Sequence, residues 1–187
     1  MVAVPLAPTP YRFTRDEYYR LEEMGLFVDK RVELLDGEII SVPRPSPPHA
    51  SCVTRIFTFM VRELKLAFSA RTRAPIVLNE WSEPEPDVAL CRFDADDYRH
   101  EHPKASEVHL VIEVADSSLA YARQRKTVAY AASGIPEYWI INLVDNRIEV
   151  FSDPDPVAQR YRQERSVFRG DTLTLPGGAS LAAADIL

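Results

Sequence analysis

Three ionisable residues carry the strongest chemical signal in the sequence. Asp87 stands at the head of the run DVAL, Glu113 interrupts the apolar run LVIEVA, and Lys126 ends the segment RQRK. A carboxylate inside an apolar strand must be hydrogen-bonded, paired or bound to a metal, because an isolated buried charge is very costly. Two carboxylates and a lysine suit metal-assisted phosphodiester hydrolysis, in which Mg²⁺ binds hard oxygen ligands and acidifies a bound water. The lysine would position or deprotonate that water, or neutralise the developing charge.

Each of these residues also has a structural interpretation. Asp87 follows Glu-Pro, where an aspartate is often only a turn residue, and Glu113 with Lys126 can form a structural ion pair. Glu33 is a candidate supporting residue, as an outer metal ligand. His49 follows a proline-rich loop, where it either contacts a substrate phosphate or simply ends the loop. The residue pattern leaves both interpretations open at every position.

Hydrophobic periodicity predicts the elements that must position these residues. Helices are predicted at 14–25, 49–68 and 118–133, strands at 31–35, 38–42, 75–79, 86–91, 108–114, 138–142 and 147–151, and a last hairpin at 161–175 that turns at residues 170–171. Alternation along the strand places Glu113 opposite to Ile112 and Val114. Helical spacing places Lys126 on an apolar stripe with Ala122, so we expect this lysine to point inward toward the strand ends.

Length and composition favour one ordinary globular domain. The chain has 187 residues, of which 46% are hydrophobic and 27% charged. We predict a loose proline-rich arm at 1–10, followed by one α/β or α+β domain with a mixed sheet at 11–187. Its formal charge of −6 argues against a nucleic-acid coat protein. The charge does not exclude a metal-dependent nuclease, because bound cations change the local potential.

The sequence also predicts the compartment. Cys52 and Cys91 have no CxxC spacing, which indicates neither a disulfide scaffold nor a zinc site. The N-terminus lacks a signal-peptide pattern, and the most apolar stretch, 108–115, is too short for a membrane helix. We therefore expect a cytoplasmic protein without a membrane segment. The arginines at 160, 162, 165 and 169 are predicted to lie on a solvated hairpin, where they would form only a weak patch for a DNA backbone.

A series of short motifs resembles the Uma-two family of restriction endonuclease-like proteins, in the PD-(D/E)XK superfamily. The motifs are RVELLDGEI, a helix opened by PPHA, SEPEPDVAL, HLVIEVADSSLAY, RQRK and YAASGIPEYWIIN, from about residue 13 to about residue 151. The resemblance implies a restriction-endonuclease-like core, in which helices flank a central mixed sheet that carries extra β-hairpins. It also implies divalent-metal cleavage of DNA, with Mg²⁺ or Mn²⁺ as the cofactor.

The resemblance assigns roles by position. It makes Asp87 the motif aspartate and Glu113 the motif glutamate, both as metal ligands. The superfamily lysine is expected two residues after the glutamate, where this chain has Ala115, and Lys126 fits the place to which related families move it. Glu33 and His49 match further family positions.

One position departs from the family pattern. The family usually has an aspartate where this chain has Ala122, one helical turn before the lysine. Without that carboxylate we expect weaker positioning of the lysine or weaker metal binding. The hypothesis of an inactive nuclease-like scaffold therefore stays open.

Three hypotheses therefore follow from the sequence. The first is a Mg²⁺- or Mn²⁺-dependent DNA endonuclease, with a homodimer as a mild preference because duplex DNA is pseudo-symmetric. The second is an inactive nuclease-like scaffold that binds nucleic acid or protein. The third is a structural homodimer whose carboxylates form only an ion-pair network.

Overall fold

The computed structural model describes residues 9–64 and 67–187. The predicted arm falls outside these residues except for Thr9 and Pro10, which are exposed and have no regular secondary structure. The strands are β1 (Val32–Leu35), β2 (Glu38–Ser41), β3 (Phe68–Arg71), β4 (Val88–Arg92), β5 (Val108–Ala115), β6 (Glu137–Asn142), β7 (Arg147–Asp155), β8 (Arg160–Val167), β9 (Thr172–Thr174) and β10 (Ser180–Ala182).

A six-stranded sheet forms the centre of the fold. Its order is β3-β4-β5-β6-β7-β8, with β5 and β6 parallel and every other neighbouring pair antiparallel. Two separate hairpins, β1-β2 and β9-β10, complete the strand set. The β1-β2 turn has positive φ at both Asp36 (52°) and Gly37 (76°), as a two-residue hairpin turn requires. The predicted mixed α/β sheet with extra hairpins is confirmed.

The helices lie where the periodicity predicts them. The helix α1 (Arg15–Glu23) begins at Thr14, whose side chain forms a capping box with Glu17. The helix α2 (Pro47–Leu64) follows the proline-rich loop. A third helical segment connects the parallel strands β5 and β6, which need such a crossover. That segment comprises α3 (Leu119–Tyr121), a π-helix (Ala122–Lys126) and α4 (Thr127–Ala132).

Hydrophobic side chains cover the central strand β5 on both faces, as its apolar sequence predicts. Leu110, Ile112 and Val114 belong to the core cluster that includes α2 and the β9-β10 hairpin. Val111 and Ala115 belong to the opposite cluster, beneath the third helical segment. Glu113 therefore points toward that segment. No helix of the described residues is long and apolar enough to cross a membrane.

The structure corrects three predicted elements. Helix α2 comprises Pro47–Leu64 of the described residues, and Phe68, which is predicted to lie in this helix, instead begins β3 against Arg92. The predicted strand at 75–79 forms only isolated bridges, at Val77 and Asn79. The segment facing it contains Pro84 and Pro86, which lack the N–H groups that a continuous ladder needs.

The predicted hairpin over 161–175 is also wrong. Strand β7 continues to Asp155, and β8 pairs with it across a turn in which the Asp155 carboxylate accepts a hydrogen bond from Ala158 N–H. Strand β9 pairs instead with β10, with Leu173 opposite Leu181. Both leucines are fully buried, so the core selects this pairing.

Candidate active site

A pocket of about 250 Å³ opens where β4 begins and β5 ends. One wall comes from the β1-β2 hairpin and the proline-rich loop, and the other from the end of β5 and the third helical segment. All five residues that the sequence singles out line this pocket. The lining residues are Arg31, Glu33, Ile40, Ser41, Val42, Pro43, Arg44, Pro45, His49, Glu85, Asp87, Glu113, Val114, Asp116, Ser117, Ser118, Tyr121, Ala122 and Lys126.

Glu113 and Lys126 form a buried ion pair at the floor of the pocket. The two side chains are only 10% and 6% exposed, and Lys126 Nζ lies 2.7 Å from Glu113 Oε1. The hydroxyl of Tyr130 donates a hydrogen bond of 2.8 Å to the same oxygen. Lys126 Nζ also lies 3.1 Å from Glu33 Oε2. The predicted inward direction of Lys126 is confirmed, and one ammonium group serves two glutamates.

Lys126 is the last residue of the π-helix. The widened turn of this helix is closed by Thr127, whose N–H and hydroxyl both donate to the carbonyl of Ala122. Ala122, Lys126 and Ala129 are all buried, as their predicted stripe requires. Single π-turns are uncommon and occur preferentially at functional sites.

Both carboxylate oxygens of Glu33 accept hydrogen bonds. Its Oε1 accepts a bond of 3.1 Å from the Tyr121 hydroxyl, and its Oε2 accepts one of 3.0 Å from Glu85 N–H. Because Lys126 takes a further position on Oε2, Glu33 fixes the ammonium group in place. This geometry favours the predicted supporting role.

Asp87 directly precedes β4 and lies beside Glu113. The register sets Val88 against Ile112, so the next residues, Asp87 and Glu113, face each other across the two strands. Asp87 Oδ2 accepts a hydrogen bond of 2.9 Å from Val114 N–H, while Arg73 Nε lies 3.9 Å from Oδ1. Asp87 is thus fixed by tertiary contacts and not only by a local turn.

His49 contacts Asp87 from the first turn of α2. Its Nε2 lies 3.1 Å from Asp87 Oδ2, while its buried Nδ1 has no hydrogen-bond partner among the described residues. Burial opposes a charge on the imidazole, but the hydrogen bond and the charge of Asp87 raise the pKa of His49 above its ordinary value. Neither sequence interpretation of His49 included this contact with a predicted site carboxylate.

Sequence reasoning missed several residues that line the pocket or contact its side chains. Tyr130 lies one helical turn after Lys126, so the stripe could have identified it. Tyr121 lies five residues before Lys126 and contacts it only because of the π-turn, with Nζ 5.8 Å from the ring centroid. Ser46 donates a hydrogen bond of 2.8 Å to Asp116 and thereby connects the two walls. No local pattern predicts a contact across 70 residues.

Negative charge exceeds positive charge in the pocket. Five carboxylates line it (Glu33, Glu85, Asp87, Glu113 and Asp116), whereas Lys126, Arg31 and Arg44 are the lining residues with permanent positive charge. Burial raises the pKa of Glu113 to about 7, against the opposing effect of Lys126. Burial disfavours the charge of Lys126, but Glu113 and Glu33 outweigh it and raise the lysine pKa. The lysine therefore stays charged, and carboxylates outnumber cationic groups in the lining.

The carboxylates do not form a ready-made metal cluster. Within residues 9–64 and 67–187, no group of three His, Cys, Asp or Glu side chains is arranged to hold a metal ion. The reason is that Lys126 lies between Glu33 and Glu113, while His49 and Val114 N–H contact Asp87. Asp87 Oδ1 and Glu113 Oε2 have no hydrogen-bond donor among the described residues, so each carboxylate retains one hard oxygen for a cation.

Comparisons with known proteins agree with this description. The family model Uma2, described as "Putative restriction endonuclease", matches residues 15–184. Among solved structures, the fold is similar to a protein described as "a putative nuclease belonging to DUF820 from Anabaena variabilis ATCC 29413". The TM-score is 0.70 at 14% sequence identity, over 93% of this chain and 97% of that chain. Among curated proteins, none matches this chain. The predicted resemblance and the nuclease-type fold are confirmed.

Proposed function

Because the chain belongs to the Uma2 family, we propose that it is a divalent-metal-dependent DNA endonuclease whose reaction centre consists of Asp87, Glu113 and Lys126. The observation that carries this proposal is the convergence of the three side chains in one recessed pocket. Asp87 directly precedes β4, Glu113 lies near the end of β5, and Lys126 lies in the third helical segment. The three residues follow one another along the chain in the order that the family resemblance implies.

The donor set fits a hard divalent cation. Asp87 and Glu113 each present an oxygen without a hydrogen-bond donor among the described residues, and carboxylate side chains outnumber cationic side chains in the lining. Mg²⁺ or Mn²⁺, when bound, would acidify a water molecule and neutralise charge on the phosphate. A divalent ion uses only one or two carboxylates in such sites and keeps several waters.

The chain's own residues perform the remaining work. Val114 N–H and His49 hold the Asp87 carboxylate, and the Tyr130 hydroxyl holds Glu113. The Lys126 ammonium donates a hydrogen bond to Glu113 and forms an ion pair with Glu33. Because its pKa is raised, Lys126 acts as a permanent cation that stabilises charge on the reacting phosphate. A general-base role, which the sequence left open, is disfavoured.

One observation favours the alternative of an inactive scaffold. Ala122 is buried and lines the pocket, so a methyl group stands where the family usually has an aspartate. In that case the fold would serve as an interaction module for nucleic acid or protein. Assembly as a homodimer and a cytoplasmic location remain predictions from the sequence.

The test is metal-dependent cleavage of plasmid DNA and of single-stranded DNA. We expect activity with Mg²⁺ or Mn²⁺ that EDTA abolishes, and a loss of at least about 1000-fold in Asp87→Asn and Glu113→Gln. Asp153→Asn removes an exposed carboxylate on β7 and is the matched control. Isothermal titration of Mn²⁺ with and without DNA, and circular dichroism, complete the set. Absence of both cleavage and metal binding in the wild type would favour the scaffold.

A further inference from the structure

Two arginines line the acidic pocket without an ion-pair partner. Arg31 precedes β1 and is half-buried, and Arg44 lies in the proline-rich loop and is exposed. Among the described residues, neither guanidinium has a carboxylate within 4.0 Å, although five carboxylates line the same pocket. By contrast, Arg125, which lies outside this lining, pairs with Asp36 and Glu38.

Hydrogen bonds hold Arg31, and prolines restrict the loop that carries Arg44. The Val42 N–H donates a hydrogen bond of 2.9 Å to the Arg31 carbonyl, and the Arg31 side chain donates one of 3.4 Å to the Pro43 carbonyl. Prolines at 43, 45, 47 and 48 restrict the loop that presents Arg44. Because Ser46 bonds Asp116 across the pocket, both ends of this loop are fixed.

This arrangement creates opposite charges at the rim and the floor. The floor carries Glu33, Asp87 and Glu113, which repel a phosphate group. A guanidinium matches two phosphate oxygens with parallel N–H groups, and it keeps its charge at every physiological pH. Since the chain carries a net charge of −6, a polyanion needs local positive groups to approach this pocket.

We propose that Arg31 and Arg44 form a phosphate clamp, which binds backbone phosphates on one side of the DNA bond that is cut. The proposal rests on the proposed function and adds the residues that hold the substrate. Contacts of this kind fix the register of the strand without reading its sequence. We therefore expect the affinity for DNA to depend strongly on the charge of the backbone and only weakly on the identity of the bases.

The test measures binding separately from cleavage. The protein is titrated into a fluorescein-labelled DNA, single-stranded or duplex, and binding is measured by fluorescence anisotropy. The titrations contain Ca²⁺ and are repeated at salt concentrations between ~50 and ~200 mM. Arg31→Gln and Arg44→Gln should each weaken binding roughly fivefold at the lower salt concentration and lower the salt slope by about one. Arg31→Lys keeps the charge, and should keep the slope even if the bond to the Pro43 carbonyl is lost.

Arg160→Gln is the matched control, because it removes the same charge from an exposed position on β8. That strand lies three strands from β5, roughly 14 Å across the sheet. Wild-type affinity and slope in both clamp variants would overturn the clamp, and so would a loss confined to Arg160→Gln. If the wild type cleaves DNA and the clamp variants bind normally, only the clamp fails. If the wild type neither binds nor cuts DNA, both the clamp and the proposed endonuclease function are overturned.

Discussion

Two buried glutamates of the same sheet have opposite electrostatic environments. Counted over the whole residue, Glu113 on β5 is 8% exposed and Glu149 on β7 is 3% exposed. Each pairs with a cation of the same π-helix, Glu113 with Lys126 and Glu149 with Arg123. Both glutamates thus lie in the central sheet and pair with a cation of one π-helix. The Lys126 side chain is only 6% exposed whereas the Arg123 side chain is 36% exposed, and the charges around the two glutamates also differ.

The charge balance decides what each glutamate does. Burial raises the pKa of Glu149, but hydrogen bonds from Arg123, Asn142 and Arg147 outweigh it and lower the pKa to about 2. Burial likewise raises the pKa of Glu113, but its one cation is shared with Glu33, and the value stays near 7. Glu149 belongs to a satisfied structural network, whereas Glu113 belongs to an under-neutralised pocket.

The largest expected effect separates the two cations of the π-helix. We predict that Lys126→Met lowers the rate of metal-dependent plasmid nicking at least about 100-fold, because a fixed charge at the phosphate is lost. Arg123→Met should leave the rate per folded molecule nearly unchanged, since Arg123 contacts Glu149 and Asp145 and does not line the pocket. Initial rates are compared where circular dichroism shows both variants folded. An equal loss of nicking rate in the two variants would contradict the proposed difference between the Glu113 and Glu149 sites.

The next effect concerns the free energy of unfolding, and here we expect the larger change at Glu149 and the smaller change at Glu113. Glu149→Gln should cost about 2 kcal/mol of unfolding free energy, because it removes the charge that two guanidinium groups share. That figure lies below the usual range for a buried pair, since both arginines are about one-third exposed. Glu113→Gln should cost less than about 1 kcal/mol, because Lys126 keeps Glu33 as a partner.

Urea unfolding in EDTA measures both changes. A larger cost at Glu113 than at Glu149 would contradict the proposed difference in charge balance.

The smallest effect is the pH dependence of melting temperature. The native pKa of Glu149 lies below its ordinary value, so its stabilisation is complete above about pH 4.5 and is lost as the pH falls toward 2. The native pKa of Glu113 lies above its ordinary value, so its stabilisation is complete below about pH 4.5 and is lost as the pH rises through 7. Without metal, Glu149→Gln should flatten the acid side of the profile, and Glu113→Gln the neutral side. Superimposable profiles would refute both assignments.

Local signals predicted much of the fold and of the site. The alternation along β5 places Glu113 correctly, because side-chain direction in a strand follows from backbone geometry alone. The stripe on the third helical segment places Lys126 correctly, since a helix turns through a fixed angle per residue. The capping box at Thr14 and the Asp36-Gly37 turn also depend only on neighbouring residues.

Contacts between distant segments account for what was missed. The partner of β8 changes from the C-terminal segment to β7, because pairing depends on which strand the core brings alongside. The contact of His49 with Asp87 spans 38 positions, and that of Ser46 with Asp116 spans 70. The π-turn that brings Tyr121 toward Lys126 departs from the period on which the helix prediction rests.

The sequence by itself determined the family, the central strand, the identity of the three principal side chains, and the direction of Glu113 and Lys126. Only the tertiary structure decided how their charges are balanced. Lys126 is shared by Glu33 and Glu113, whereas Glu149 receives hydrogen bonds from two arginines and an asparagine. The physical reason is that the ionisation of a buried group depends on every charge within a few ångströms, and most of these charges come from remote parts of the chain.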